Sequence, residues 1–170
     1  MIKIRKENEK DYQQIYDVVK IAFENAEHSD GNEQDLVVDL RNGNGYIPEL
    51  SLVAELDGKI VGYIMFTKIL ISENEEIALA PLAVLPEYQK QGIGSKLIEH
   101  GHKIAKDLGY HYSVVLGSEK YYPKFGYIPA INYGIKPPFD VPSDNFMAIK
   151  LNKNNTVIKG IVRYSKEFGI

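Results

Sequence analysis

The sequence predicts one α/β (α+β) domain, a mixed β-sheet with helices on both faces. Three observations carry this. Extended and helical patterns follow one another in the order β-α-α-β-β-β-α-β-α-β-β. Asp57-Gly58 joins two long apolar runs, the signature of an antiparallel hairpin. Between Ile77 and Leu108 an apolar strand runs through a short glycine loop into an amphipathic helix. The length of 170 residues suits a single domain over 1–170, and a hydrophobic content of 44% is enough to close a core.

Ile2 and Ile4 alternate with Lys3 and Arg5 in a short first strand. A helix follows with Ile15, Val18, Val19, Ala22 and Phe23 on one face. The stretch from Glu24 to Asp39 reads as loop and second helix, with Leu36, Val37 and Leu40 turned inward, and Gly43-Asn44-Gly45 breaks it. Leu50–Leu56 and Ile60–Ile71 are the hairpin strands. Ser72–Glu76 reads as a charged turn and Ile77–Leu85 as a strand. Ile93–Leu108 is the strongest helix, with Leu97, Ile98, Ile104, Ala105 and Leu108 as its inner stripe and Gly109 as its C-cap. Tyr110–Leu116 is a further strand. Ser118 is placed to N-cap a short helix through Tyr122. Gly134–Pro142 reads as a rigid loop with three prolines, and Phe146–Leu151 and Val157–Val162 as late strands.

Composition excludes several functions. A net charge of -3 gives no general pull toward nucleic acid. With no Cys there is no thiolate nucleophile, disulfide or Cys-based metal site, and His28, His100, His102 and His111 show no ligand spacing, so no metal is expected. The charged start Met1–Asp11 is unlike a signal peptide. The longest apolar run, Ile77–Leu85, has nine residues, whereas a membrane span needs about 20. A cytoplasmic protein with no membrane partner is the expectation.

The strand-loop-helix unit carries the chemistry. A Walker A loop is excluded by the order Gly94-Ser95-Lys96 and the lack of an upstream glycine at its spacing. A Gly-x-Gly-x-x-Gly fingerprint fails because Leu97 holds its third glycine position. Gln89-Lys90-Gln91-Gly92-Ile93-Gly94 instead fits Gln/Arg-x-x-Gly-x-Gly/Ala. Glycines let the main chain approach phosphate oxygens closely. Successive N–H groups from about Lys90 to Ser95, at a helix N-terminus, suit a diphosphate. Lys90 adds a full positive charge. A plain glycine turn before a surface helix has the same short pattern.

A second segment, Tyr121-Tyr122-Pro123-Lys124-Phe125-Gly126-Tyr127, lies about 30 residues on. With the glycine motif and the elements between them, it resembles the GNAT superfamily of acetyl-CoA-dependent N-acetyltransferases. That family commonly carries aromatic-Tyr-x-Arg/Lys-Phe-Gly-aromatic there. The first half of the chain resembles it in element order alone. The resemblance implies a mostly antiparallel sheet with a V-shaped splay between two central parallel strands, here Ile77–Leu85 and Tyr110–Leu116. It implies acetyl-CoA as co-substrate, its pantetheine arm against Leu82, Ala83 and Val84 and its diphosphate on Gln89, Lys90, Gln91, Gly92, Ile93, Gly94 and Ser95. The Leu82 N–H would stabilise the oxyanion of the tetrahedral intermediate. Pro81, with no N–H, suits a distorted position.

By the same resemblance Tyr122 is the acid that returns a proton to the CoA thiolate, with Tyr121 as its decoy. Both rings are otherwise ordinary packing aromatics. Pro123 departs from the usual residue. No acid lies within Ile77–Leu85; Glu73, Glu75 and Glu76 precede it, and no base is assigned. The implied function is transfer of an acetyl group to a primary amine on a small molecule or peptide. The carboxylates Glu24, Glu27, Asp30, Glu33, Asp35 and Asp39, with no Lys or Arg among them, would make an acidic lip for a cationic amine. Tyr133 and Pro137-Pro138-Phe139 would wall the other side. A non-catalytic acyl-CoA-binding module and a nucleotide-binding protein of another class are the alternatives. A homodimer is left open.

Overall fold

The structure, a computed structural model, describes residues 1–26 and 29–170, so Glu27 and His28 lie outside the described residues. Among the described residues there are nine strands and three α-helices. They are β1 (Ile2–Lys6), α1 (Tyr12–Phe23), α2 (Glu33–Arg41), β2 (Tyr46–Leu56), β3 (Lys59–Ile71) and β4 (Asn74–Val84). Then come α3 (Ile93–Asp107), β5 (Tyr112–Leu116), β6 (Ile128–Pro129), β7 (Ile135–Lys136), β8 (Phe146–Lys150) and β9 (Gly160–Arg163). Asp57 and Gly58 both take positive φ, 51° and 81°, as a two-residue type I′ hairpin loop requires. β2 and β3 therefore pair antiparallel from Leu56↔Lys59 upward.

The sheet runs in the order β1-β2-β3-β4-β5-β8-β6. All its neighbours are antiparallel except β4 and β5, which are parallel. β3 is longer than β2, and its far end pairs on that free edge with β9 through Leu70↔Arg163 and Ile71↔Val162.

Side chains on β3 alternate between the two faces. Gly62 turns toward α3, where a Cβ would stand 3.1 Å from Ile93 Cγ2 and 3.2 Å from Leu97 Cδ1. Tyr63 turns the other way and donates from its hydroxyl to Glu7 at 3.1 Å, the carboxylate that also holds Arg41 of α2. The sheet is thus covered by α3 on one face and by α1 and α2 on the other. Ile15, Val19, Tyr63, Ile64, Phe66, Leu97 and Ile98 are fully buried in the main core. A smaller core joins Ile69, Ile71, Tyr112, Val114 and Phe146.

Several boundaries differ from expectation. α3 ends at Asp107, and Leu108 is 44% exposed rather than part of the inner stripe; Gly109, with φ 93°, turns the chain there. β4 begins at Asn74, so the turn shrinks and Glu76 lies inside the strand, 1% exposed. The short helix does not end at Tyr122: it is a 3-10 turn over Tyr122–Phe125 with Pro123 in its first turn, because proline fits a first helical turn and not a helix interior. Ser118 still accepts from the Lys120 N–H, at 3.1 Å. The last strand is Gly160–Arg163, shorter than expected. The expected loop Gly134–Pro142 contributes the two residues of β7.

Candidate active site

β4 and β5 share two partnered positions, Ile77↔Ser113 and Ala78↔Val114. Beyond Ala78 they separate, and β4 from Leu79 to Val84 has no β5 partner for its main chain. On its other side β4 stays joined to β3, but the three steps from Leu79 to Leu82 oppose the two steps from Phe66 to Ile64. This bulge holds Pro81, which has no N–H to pair. The expected V and the expected distortion at Pro81 are both present.

The loop after β4 ends at Gly92, whose φ of 85° is left-handed and which caps α3 with no side-chain hydrogen bond. Lys96 is the first residue of α3 whose N–H reaches a main-chain acceptor, Gly92 O at 3.1 Å. The N–H groups of Ile93, Gly94 and Ser95 are therefore free helix-end donors. Lys90 also takes a left-handed φ, 62°, which a lysine adopts at a cost of roughly 1–2 kcal/mol. Two glutamines brace the loop: Gln89 Nε2 donates to Val84 O at 3.1 Å and Gln91 Nε2 to Glu87 O at 3.2 Å.

A groove of about 600 Å³ runs between β4 and the N-terminus of α3. Leu82, Val84, Gln89, Lys90 and the run Gly92 to Ser95 line it. Ala83 and Gln91 do not: Ala83 is buried at 3% exposure, and Gln91 is turned onto Glu87. Tyr88 and Lys124 line the groove as well; Lys124 is the Arg/Lys position of the second motif and was given no role there, and Tyr88 carried no sequence signal. Their positions depend on how the two motifs pack, which no spacing encodes. An uncapped helix N-terminus, two lysines and an unpaired strand edge fit a diphosphate followed by an amide-bearing arm. A smaller hollow of about 260 Å³ on the α1 side, rimmed by Asp17, Lys59 and Glu87, lies apart from these donors. Among the described residues no cluster of three His, Cys, Asp or Glu could hold a metal.

The two tyrosine rings meet edge to face at 5.1 Å but have different surroundings. Tyr121 lines the groove. The Tyr122 ring packs instead against Gly117, where a Cβ would lie 2.5 Å from its Cε2, and edge-on to Tyr127 at 5.8 Å. Burial pushes the Tyr122 phenol well above its ordinary value, and the Tyr121 phenol adds to the shift. Tyr122 is thus fully protonated at neutral pH. Transfer to a thiolate, ordinarily near 8.5, is uphill unless the thiolate enters the same dry surroundings, which raise its own pKa. Beneath Tyr122, Tyr127 is wholly buried between His102 Nε2 and Ser113 Oγ, both at 2.9 Å.

Glu76 is committed elsewhere. It accepts the N–H groups of His111 at 2.7 Å and Tyr112 at 2.9 Å, and lies 3.3 Å from His111 Nδ1. None of the described carboxylates of the acidic segment lines the groove: Glu33 accepts from Ser29 Oγ at 2.8 Å and Asp35 from the Tyr16 hydroxyl at 2.9 Å. Glu24, Asp30 and Asp39 are exposed. Tyr133 packs on Tyr112 and Phe139 on Phe146 and Tyr164, within the smaller core.

Residues 12–127 match the family described as Acetyltransferase (GNAT) family. YjhQ of Escherichia coli K12, an uncharacterized N-acetyltransferase by name, is 38% identical over 118 residues, 66% of this chain and 65% of that protein, so the match spans just under two thirds of this relative. YhbS of the same strain, named likewise, is 30% identical over 140 residues, 80% of this chain and 83% of its own. In the crystal YhbS binds CoA, and its fold superposes with a TM-score of 0.89 at 27% identity over 99% of this chain and 92% of that one. A GNAT family acetyltransferase from Brucella melitensis, crystallised with acetyl-CoA, gives a TM-score of 0.81 at 32% identity, covering 99% and 98% of the two chains. The splayed strands, the glycine loop and these relatives together place the chain in the GNAT acetyltransferase family.

Proposed function

We propose that the chain is an acetyl-CoA-dependent N-acyltransferase that moves an acetyl group to a primary amine by direct attack on the thioester. The observation that carries this is the junction of two features in one groove: β4 leaving β5 after Ala78, and an α3 N-terminus with no side-chain cap. The free amides of Ile93 to Ser95, with Lys90 and Lys124, hold the diphosphate. The unpaired edge of β4 from Leu79 to Val84 receives the pantetheine arm, as the Leu82 N–H receives charge on the thioester oxygen.

In the reaction the amine nitrogen forms a bond to the acyl carbon, the carbon–sulfur bond breaks, and the amine loses a proton to solvent water. Sulfur leaves with the bonding pair and takes a proton from Tyr122, which solvent restores. A cytoplasmic setting and an amine acceptor, small molecule or peptide, belong to this reading. Purified protein with acetyl-CoA and a panel of primary amines tests it: free CoA thiol should appear faster than in the acceptor-free control. No acceptor-dependent release, with CoA still bound, would leave the second reading, an acyl-CoA-binding module. That reading has one observation behind it: the buried carboxylate of β4, Glu76, is tied to the main chain of β5. No saturable binding of CoA would remove both.

A further inference from the structure

We propose that Tyr121 is a donor-binding residue, its hydroxyl seated on Gly94 as one wall of the anion cup at the start of α3. The proposal rests on the acyl-CoA reading above and adds to it a side chain that the main-chain cup lacks. A Cβ built on Gly94 would stand 2.6 Å from the Tyr121 hydroxyl oxygen and 3.9 Å from Leu82 Cδ2. Strand β4, helix α3 and the aromatic segment thus converge on this one glycine. Gly94 is the second residue of α3 and not left-handed, so its backbone would accept any residue. Alanine there would favour the helix by about 1 kcal/mol. What the position cannot accept is a methyl group beneath that hydroxyl.

The ring is held on its other sides. Tyr122 and Phe125 meet it edge to face at 5.1 Å and 5.2 Å, and Lys124 Nζ lies 5.4 Å from its centroid. Tyr121 and Lys124 both line the groove. Burial raises the Tyr121 phenol, so its hydroxyl stays a neutral O–H donor. The side chain lies on the groove beside the amides of Ile93, Gly94 and Ser95. A hydrogen bond to a charged oxygen is the strong kind.

A thermodynamic cycle tests this with four proteins: wild type, Gly94→Ala, Tyr121→Phe and the double variant. CoA binding is read by calorimetry, and melting temperature is read without ligand. Tyr121→Phe keeps the ring and should fold normally. Its CoA dissociation constant should rise about tenfold, with the KM for acetyl-CoA rising in the same proportion. Gly94→Ala should lower both CoA affinity and melting temperature, and most of that loss should vanish in the Tyr121→Phe background. Equal costs of Gly94→Ala in both backgrounds, or a Tyr121→Phe protein that binds CoA as wild type does, would overturn the proposal and leave the acyl-CoA reading intact. Failure of wild type to bind CoA would overturn both.

Discussion

The Tyr127 hydroxyl lies 2.9 Å from His102 Nε2, joining the middle of α3 to the segment that carries Tyr122. Burial depresses His102 to a pKa of about 4. At neutral pH its ring is uncharged, and Nε2 shares a hydrogen bond with the Tyr127 hydroxyl, which also bonds Ser113 Oγ at 2.9 Å. The unfolded chain binds a proton at this residue below about 6.5. The stability contribution is therefore complete above about 6.5 and is lost as pH falls toward 4. Over that window wild type should lose roughly 2–3 kcal/mol through this residue. Denaturant melts of His102→Asn should show a flatter dependence between pH 6.5 and 4.5 than wild type does, the carboxylates being common to both proteins.

Gly117 serves Tyr122 as Gly94 serves Tyr121. With Cε2 2.5 Å from the position of a Cβ on Gly117, and Tyr121 and Tyr127 on its other sides, the Tyr122 ring cannot yield without turning its hydroxyl. Gly117 is not left-handed, so its backbone tolerates alanine. Gly117→Ala should lower kcat by about 100-fold, the scale of a misplaced reacting group. The KM for acetyl-CoA should change less than threefold, since Tyr122 does not line the groove. Steady-state kinetics check the split, and a change in KM alone would deny Tyr122 its role as the acid.

The hairpin and α3 were legible because their signals are local: Asp57-Gly58 for a turn and a 3.6-residue stripe through Leu97, Ile98 and Ala105 for the helix. The groove was legible where main-chain chemistry leaves a mark, at Gly92 and Gly94. Tyr88 enters it by tertiary packing and left none, and Lys124 stands in the aromatic motif, whose spacing does not say that it reaches the groove. Leu108 was misplaced because a helical stripe does not say where the helix ends. Glu76 was hidden by its neighbours, since a charged run reads as a turn and its partners, His111 and Tyr112, are 35 and 36 residues away.

Glu76 closes the narrow end of the V. Its carboxylate takes the successive amides of His111, just before β5, and Tyr112, its first residue, next to the first shared position, Ile77↔Ser113. Glu76→Gln keeps one oxygen for these donors and should cost about 1 kcal/mol, whereas Glu76→Ala strands them and should cost about 2–4 kcal/mol. Turnover of the Gln variant should stay within a few-fold of wild type. A drop beyond 100-fold in a stably folded Glu76→Gln protein would make this carboxylate the missing base.

A polar knot lies on the α2 face. Arg41 donates from Nε and an Nη to the two oxygens of Glu7, each at 2.9 Å, with side-chain exposures of 8% and 1%. The Tyr46 hydroxyl donates to Glu7 at 2.5 Å and Tyr63 at 3.1 Å, and the guanidinium lies 3.9 Å over the Tyr12 ring. Glu7 thus has four donors on two oxygens, and the ion pair stitches the end of β1 to the last turn of α2. Removing one charge leaves the other buried without a counterion, which typically costs 3–5 kcal/mol. Arg41→Met and Glu7→Gln should each destabilise by about that amount in urea melts. Arg41→Met with Glu7→Leu, which removes both charges, should recover part of the loss. Arg41→Lys should fall between, since an ammonium cannot make the two-pronged contact. If Arg41→Met melts within 1 kcal/mol of wild type, the pair is not desolvated in solution.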